Sequence, residues 1–147
     1  MLENLTEQDV EIGIHASGWE DAIRKSSRAL LKSGKINQEY IDAMVESVKK
    51  YGPYIVLCKR VALAHARPEC GAIIPSIHFA TLKPGVVFGN PTFDPIELLI
   101  VLAASDDRSH LDLLGELAEL LMDPDAIGAL VGSTTSTEFI QRLRSLL

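Results

Sequence analysis

Few residues of this chain can do chemistry. There are four histidines, His15, His65, His78 and His110, and two cysteines, Cys58 and Cys70. An imidazole with one unprotonated nitrogen is a competent nucleophile. Its other nitrogen can fix that tautomer by donating to a backbone carbonyl. His65 stands in Val61-Ala62-Leu63-Ala64-His65-Ala66-Arg67-Pro68, where a short apolar run ends at the ring and a cation follows two residues on. The flanking alanines leave room for a bulky group, and the Arg67 guanidinium can meet a phosphoryl group's charge, ideally with a bidentate contact. From spacing alone, an ordinary, partly buried histidine is the favoured reading.

His110 follows Ser105-Asp106-Asp107-Arg108-Ser109 and opens an amphipathic helix. Unsatisfied N–H groups at a helix start favour anions and disfavour an imidazolium, so a neutral ring donating one hydrogen bond is expected there. A solvent-facing first-turn residue is the competing reading. His78, between Ile77 and Phe79, suits a packed, hydrogen-bonded role, and His15 should be exposed at the end of the first strand. His65, Cys70 and His78, with Cys58 upstream, lack the paired C-x-x-C or H-x-x-x-H units of structural zinc sites, so no metal is expected. The two cysteines read as ordinary reduced thiols. No Gly-rich phosphate loop with its lysine and no Gly-x-Ser-x-Gly elbow is present.

The elements that must position these residues are legible in outline. A strand is expected at Val10 to Ile14. Ser17-Gly18-Trp19-Glu20 then reads as a capping box for a helix with Ala22, Ile23, Ser26, Leu30 and Leu31 inward, stopped by Gly34. A second helix begins near Asn37 and buries Ile41, Met44, Val45 and Val48, until Gly52-Pro53 breaks it. Ile55 to Leu57 and Val61 to Leu63 suit short strands around a Cys58-Lys59-Arg60 turn. A longer strand is expected at Ile73 to Leu82, ended by Lys83-Pro84-Gly85. Ile96 to Ala104 is apolar except for Glu97, as in a central strand covered on both faces. Leu111, Leu114, Leu117, Ala118 and Leu121 form the inward face of the next helix. Asp123-Pro124 restarts a short one. Thr135-Ser136-Thr137-Glu138 caps the last, which carries Phe139, Ile140, Leu143, Leu146 and Leu147. The fold class expected is α/β, a mixed sheet layered between helices, in a single domain over residues 1–147.

With 147 residues and 47% hydrophobic content, the chain can bury a core without disulfide or metal staples. A net charge of −6 without a basic stripe argues against nucleic acid. Met1 to Val10 has no apolar h-region, and Leu98 to Ala104 is too short to span a bilayer. A cytoplasmic protein without membrane insertion is the expectation.

Gly52-Pro53-Tyr54-Ile55-Val56 through Ala62-Leu63-Ala64-His65-Ala66 resembles the enzyme IIA domains of the mannitol/fructose class of the bacterial phosphoenolpyruvate-dependent sugar phosphotransferase system. The resemblance covers nearly the whole chain. It extends to a histidine at a helix start, matched by His110, to Asp123-Pro124, and to Thr134-Thr135-Ser136. His65-x-Arg67-Pro68-Glu69-x-Gly71 with Gly52-Pro53-Tyr54 is most similar to the ascorbate-type members. In that family a strand ends at Ala-x-Pro-His-Gly, whereas Ala64 and Ala66 stand at the Pro and Gly positions here. The arginine that mannitol-type members carry in the preceding helix has no match, since Ser47 falls near it.

The resemblance implies a phosphotransferase component. His65 accepts a phosphoryl group on Nε2 from the histidine phosphocarrier protein and passes it to a cysteine of an enzyme IIB partner, which serves the membrane enzyme IIC. His110 stabilises the phosphoryl group, Arg67 supplies peripheral counter-charge, and no cofactor is needed. The transported sugar implied is ascorbate or a related one. Two other readings stay open: a regulatory phosphotransfer domain, and an interaction domain whose histidines are structural.

Overall fold

Eight consecutive residues, Ile96–Ala103, form the strand on which the rest is assembled, and all but Glu97 are buried. The computed structural model describes residues 2–104 and 106–147, apart from the side chains of Ser109 and His110. In chain order the elements are β1 (Val10–Ile14), α1 (Trp19–Lys32), α2 (Gln38–Tyr51), β2 (Val56–Cys58) and β3 (Val61–Ala64). There follow β4 (Ser76–Val86), β5 (Ile96–Ala103), α3 (Asp107–Leu121), α4 (Pro124–Val131) and α5 (Ser136–Leu146). The sheet order is β1-β4-β5-β3-β2, with β5 at the centre. β4 pairs antiparallel to β5, β3 parallel to β5 from Val61↔Leu98 to Ala64↔Val101, β1 parallel to β4, and β2 antiparallel to β3.

The sheet separates two apolar cores. On one face, α1 and α2 pack Ile23, Tyr40, Met44 and Val45 against Ala62, Ala64, Ala80, Leu99 and Val101. On the other, α3, α4 and α5 pack Leu113, Leu117, Ile127, Leu130, Phe139 and Leu143 against Val61, Leu63, Phe79, Leu98 and Ile100. Alternate residues of each strand serve alternate cores, which is why β3 and β5 read as unbroken apolar runs. The α1/α2 face of β3 is built from alanines, so the sheet backbone lies within reach of side chains from those helices. The mixed, doubly covered sheet expected from the sequence is the fold observed.

Local departures from the expected elements have local causes. The long strand begins at Ser76 rather than Ile73, because the N–H groups of Ile73 and Ile74 both turn to the Lys35 carbonyl in the α1–α2 connection. It also runs through Lys83-Pro84-Gly85 instead of stopping there: the register shifts between Thr81 and Val86, and that irregularity accommodates the proline before Val86 pairs with Ile96. Helix α1 starts one residue later than the Ser17 cap predicts. Gly18 is the cap, no side chain caps it, and Asp21 rather than Glu20 reaches back, to the Ser17 N–H at 3.0 Å. At α5 the Thr135 hydroxyl accepts from the Glu138 N–H as expected, while the Glu138 carboxylate reaches Thr134. The inward face of α3 is Leu113, Leu117 and Leu120, with the expected Leu114 and Leu121 packed partly buried beside them; Leu111 and Ala118 are exposed. Leu146 and Leu147 are exposed as well, whereas Tyr40, absent from the expected face of α2, is fully buried.

Asn37 joins α2 to the segment that follows the His65 motif. Its side chain caps α2 through the Tyr40 N–H at 3.0 Å, and its own N–H donates to the Gly71 carbonyl at 3.1 Å. Gly71 has φ +132°, and a Cβ there would lie 1.8 Å from Asn37 Oδ1. Gly71→Ala should therefore lower stability by about 1–3 kcal/mol through backbone strain and loss of the Asn37 cap. Urea unfolding checks this, and an unchanged midpoint would show that the contact is not maintained.

Candidate functional site

His65 is the residue at which β3 leaves the sheet. Because β3 and β5 run parallel, their carboxyl ends lie at the same edge, where α/β folds place their ligands. Helix α3 starts just after β5, so its first turn opens beside His65, and Asp107 lines the same cavity as the ring. Leu63 is held by its N–H, which donates to the Ile55 carbonyl at 2.9 Å. Its carbonyl lies 3.0 Å from His65 Nδ1. A carbonyl oxygen only accepts, so Nδ1 carries the proton and the lone pair of the neutral ring is on Nε2.

The cavity, about 450 Å³, is lined by Ser47, Tyr51, Tyr54, His65, Arg67 and Asp107, among others. Tyr54 meets the His65 ring edge to face, with centroids 5.9 Å apart and planes at 81°. Tyr51 continues the contact at 6.4 Å from Tyr54, and Lys50 Nζ lies 5.2 Å from the Tyr51 centroid. Gly52, at φ +81°, ends α2 and turns the chain so that both tyrosines reach this edge. Arg67 lines the cavity and is exposed. Ser47, near which the resemblance calls for an arginine, also lines it. His110 belongs to the first turn of α3, and its side chain lies outside the described residues.

Tyr40 supports this edge from below. Its hydroxyl lies 2.7 Å from the Leu102 carbonyl and 3.2 Å from that of Ala66, and it accepts from the Ala66 N–H at 3.1 Å. Burial pushes its pKa up to about 12, against the smaller opposing effect of the Ala66 backbone, so the hydroxyl stays protonated.

The sequence model for the phosphoenolpyruvate-dependent sugar phosphotransferase system, EIIA 2, matches residues 3–145. The chain belongs to this family. The mannitol-specific cryptic phosphotransferase enzyme IIA component of Escherichia coli strain K12 is 38% identical over 133 residues, 90% of this chain and 88% of that protein. The ascorbate-specific PTS system EIIA component of Shigella boydii serotype 4 is 27% identical over 134 residues, 90% and 87% of the two chains. Among solved structures, the complex of enzyme IIAMTL and phosphorylated enzyme IIBMTL from Escherichia coli matches with a TM-score of 0.84 and 26% identity. It covers 97% of this chain and 98% of that one. As an EIIA component the chain is part of a phosphotransferase. Relatives named for mannitol and for ascorbate both match, so the ascorbate-like signature around His65 does not by itself fix the sugar.

The remaining candidate residues of this EIIA chain are dispersed. Cys58 lies beside α3, with its thiol 3.9 Å from the Leu121 carbonyl and its pKa raised by burial. It lines a larger cavity of about 770 Å³, in which no histidine stands among the described residues. Cys70 sits in a short turn after Arg67. Among the described residues no three His, Cys, Asp or Glu side chains converge as metal ligands. No helix of the described residues is long and apolar enough to cross a membrane. His15 is exposed. Sequence reasoning missed Tyr40 and Tyr51 and did not connect Asp107 to His65. The signal available for Tyr40 was a phenol at a position of α2 flanked by the apolar stripe.

His78 takes the packed, hydrogen-bonded role expected of it, with Nε2 3.1 Å from Glu11 Oε1. That bond, opposed by partial burial and aided by the charges of His78 and Arg28, holds the Glu11 carboxyl below its ordinary value of 4.5. A depressed folded-state pKa contributes stability above the unfolded value and loses it as pH falls through the folded one. Stability should thus decline as pH drops below 4.5, and Glu11→Gln should decline less over that interval. Urea midpoints at stepped pH check this; parallel curves would remove Glu11 from the acid response.

Proposed function

We propose that this EIIA chain, working as one unit over residues 1–147, is the phosphoryl carrier of a cytoplasmic sugar-uptake relay. It accepts a phosphoryl group on Nε2 of His65 from the histidine phosphocarrier protein and passes it to a cysteine of an enzyme IIB partner. The observation that carries this reading is the 3.0 Å contact between His65 Nδ1 and the Leu63 carbonyl, which leaves the nucleophilic lone pair on Nε2. In the first step that lone pair attacks phosphorus: the N–P bond to His65 forms while the donor's bond to phosphorus breaks, its electron pair returning to the donor. In the second, a cysteine thiolate of the partner attacks, an S–P bond forms, and the pair returns to Nε2. Catalysis of such transfers is mostly alignment and charge stabilisation.

Arg67 supports the reading as a cation on the cavity wall. His110 is assigned from the family resemblance as a hydrogen-bond donor to the phosphoryl oxygens. Exposed Tyr51 and Tyr54 give a shallow, partly apolar surface on which two partners can dock in turn. The IIA–IIB complex of the mannitol relative supports IIB as the acceptor, and enzyme IIC follows from it. No metal or nucleotide enters either step, and neither nucleic acid nor membrane insertion is part of the role. For the sugar, the signature around His65 supports ascorbate or a related compound, and the 38% identity to a mannitol-named relative supports mannitol. Preference between ascorbate-type and mannitol-type IIB acceptors decides between them.

Incubation with phosphoenolpyruvate, enzyme I and the phosphocarrier protein should label the wild-type chain. His65→Ala should abolish the label while leaving the fold intact; label retained by that variant overturns the assignment. His110→Ala should still accept some label but pass it to IIB more slowly, by roughly 10- to 1,000-fold, as expected for loss of one charge-stabilising donor. Onward transfer at the unmodified rate removes His110 from the machinery.

A further inference from the structure

We propose that Tyr40 is a positioning residue for the phosphoryl acceptor: its buried hydroxyl replaces one rung of the β3–β5 ladder and so fixes the backbone from which His65 projects. The proposal rests on His65 being the acceptor.

The argument begins from the register. β3 and β5 pair in parallel up to Ala64↔Val101. In a parallel ladder alternate residues of a strand bond to the same neighbour. Leu63 turns its N–H to Ile55, on the β2 side. Residues 62, 64 and 66 therefore face β5, and the next rung would run from the Ala66 N–H to the Leu102 carbonyl. Those are the two groups between which the Tyr40 hydroxyl lies, accepting from Ala66 at 3.1 Å and within 2.7 Å of the Leu102 oxygen. One phenolic O–H thus relays the missing rung and holds the two strand ends apart by its own width.

This wedge determines how His65 leaves the sheet. The segment is held by Leu63 before the ring and by Ala66 after it, so the imidazole has little freedom to abandon the Leu63 carbonyl. A phenylalanine at position 40 would fill the same space without the relay. The Ala66 N–H and the Leu102 carbonyl would then either close on each other or seek other partners, and both outcomes move the backbone on which the ring sits.

The test is Tyr40→Phe in the full chain, read in two ways. Ring ¹⁵N shifts of His65 should show a smaller share of the Nδ1–H tautomer than in wild type. The maximal rate of phosphoryl uptake at saturating phosphocarrier protein should fall by roughly 10- to 100-fold, the effect of a slightly misplaced reacting atom. Phe139→Leu, in the opposite core, is the matched destabilised control and should keep the wild-type tautomer and rate. Tyr40→Phe with wild-type tautomer and rate overturns the proposal, as does Phe139→Leu reproducing both changes. If Tyr40→Phe does not fold, amide exchange on the wild-type protein decides. Protection of the Ala66 N–H comparable to that of β5 supports the relay, and exchange at an exposed-loop rate overturns it. The tautomer readout needs no phosphoryl donor, so a wild-type chain that takes no label on His65 overturns the carrier reading while Tyr40's effect on the ring is still measured.

Discussion

The parallel pairing of β3 with β5 constrains everything built at the site. Parallel neighbours cannot be joined by a tight turn, so the chain must travel through β4 before returning as β5. That detour places β5 at the centre of the sheet and brings the carboxyl ends of two strands to one edge. One end delivers His65, the other delivers the first turn of α3. Reversing either strand would send these groups to opposite edges, and no rearrangement of side chains would reunite them.

The same pairing sets the division of labour between the two cores. Leu63, Leu98 and Ile100 fill the space under α3, α4 and α5, a thick apolar layer with Phe79 and Phe139 at 5.4 Å between centroids. On the other face β3 contributes the small side chains of Ala62 and Ala64. From α2 the Tyr40 side chain reaches backbone at this edge, at Ala66 and Leu102. Asn37 caps the helix that carries Tyr40 and is itself tied to Gly71, so the segment after His65 is fastened to α2 at two points, Ala66 and Gly71.

Among the described residues, charge at the cavity is balanced rather than strongly positive. Arg67 and Asp107 contribute opposite signs, and Tyr51 and Tyr54 contribute aromatic surface. For the proposed carrier role this composition fits a group that must leave as readily as it arrives, since a deep cationic trap would hold phosphoryl against its next acceptor.

Patterns local to the chain determined much of this protein. The two-faced burial of Ile96–Ala103, the stripe of α2, the Asn37 and Asp123 starts and the β2–β3 turn all follow from short-range periodicity and capping chemistry. The residues around His65 marked it as the candidate nucleophile only through their family resemblance, since a ring at the end of an apolar run beside a cation reads by spacing alone as an ordinary histidine. What the sequence could not supply depends on partners distant in the chain. Strand β4 passes Pro84 because Ile96 is there to pair with Val86, and the face of α3 is set by the sheet it packs against. The tautomer of His65 depends on Leu63 being held by Ile55, and Tyr40 finds Ala66 and Leu102 only after the sheet has formed. Such hydrogen-bond geometry has no signature in spacing: even the contact of His65 with the Leu63 carbonyl, two residues away, is made by a strand residue whose N–H is already tied to Ile55.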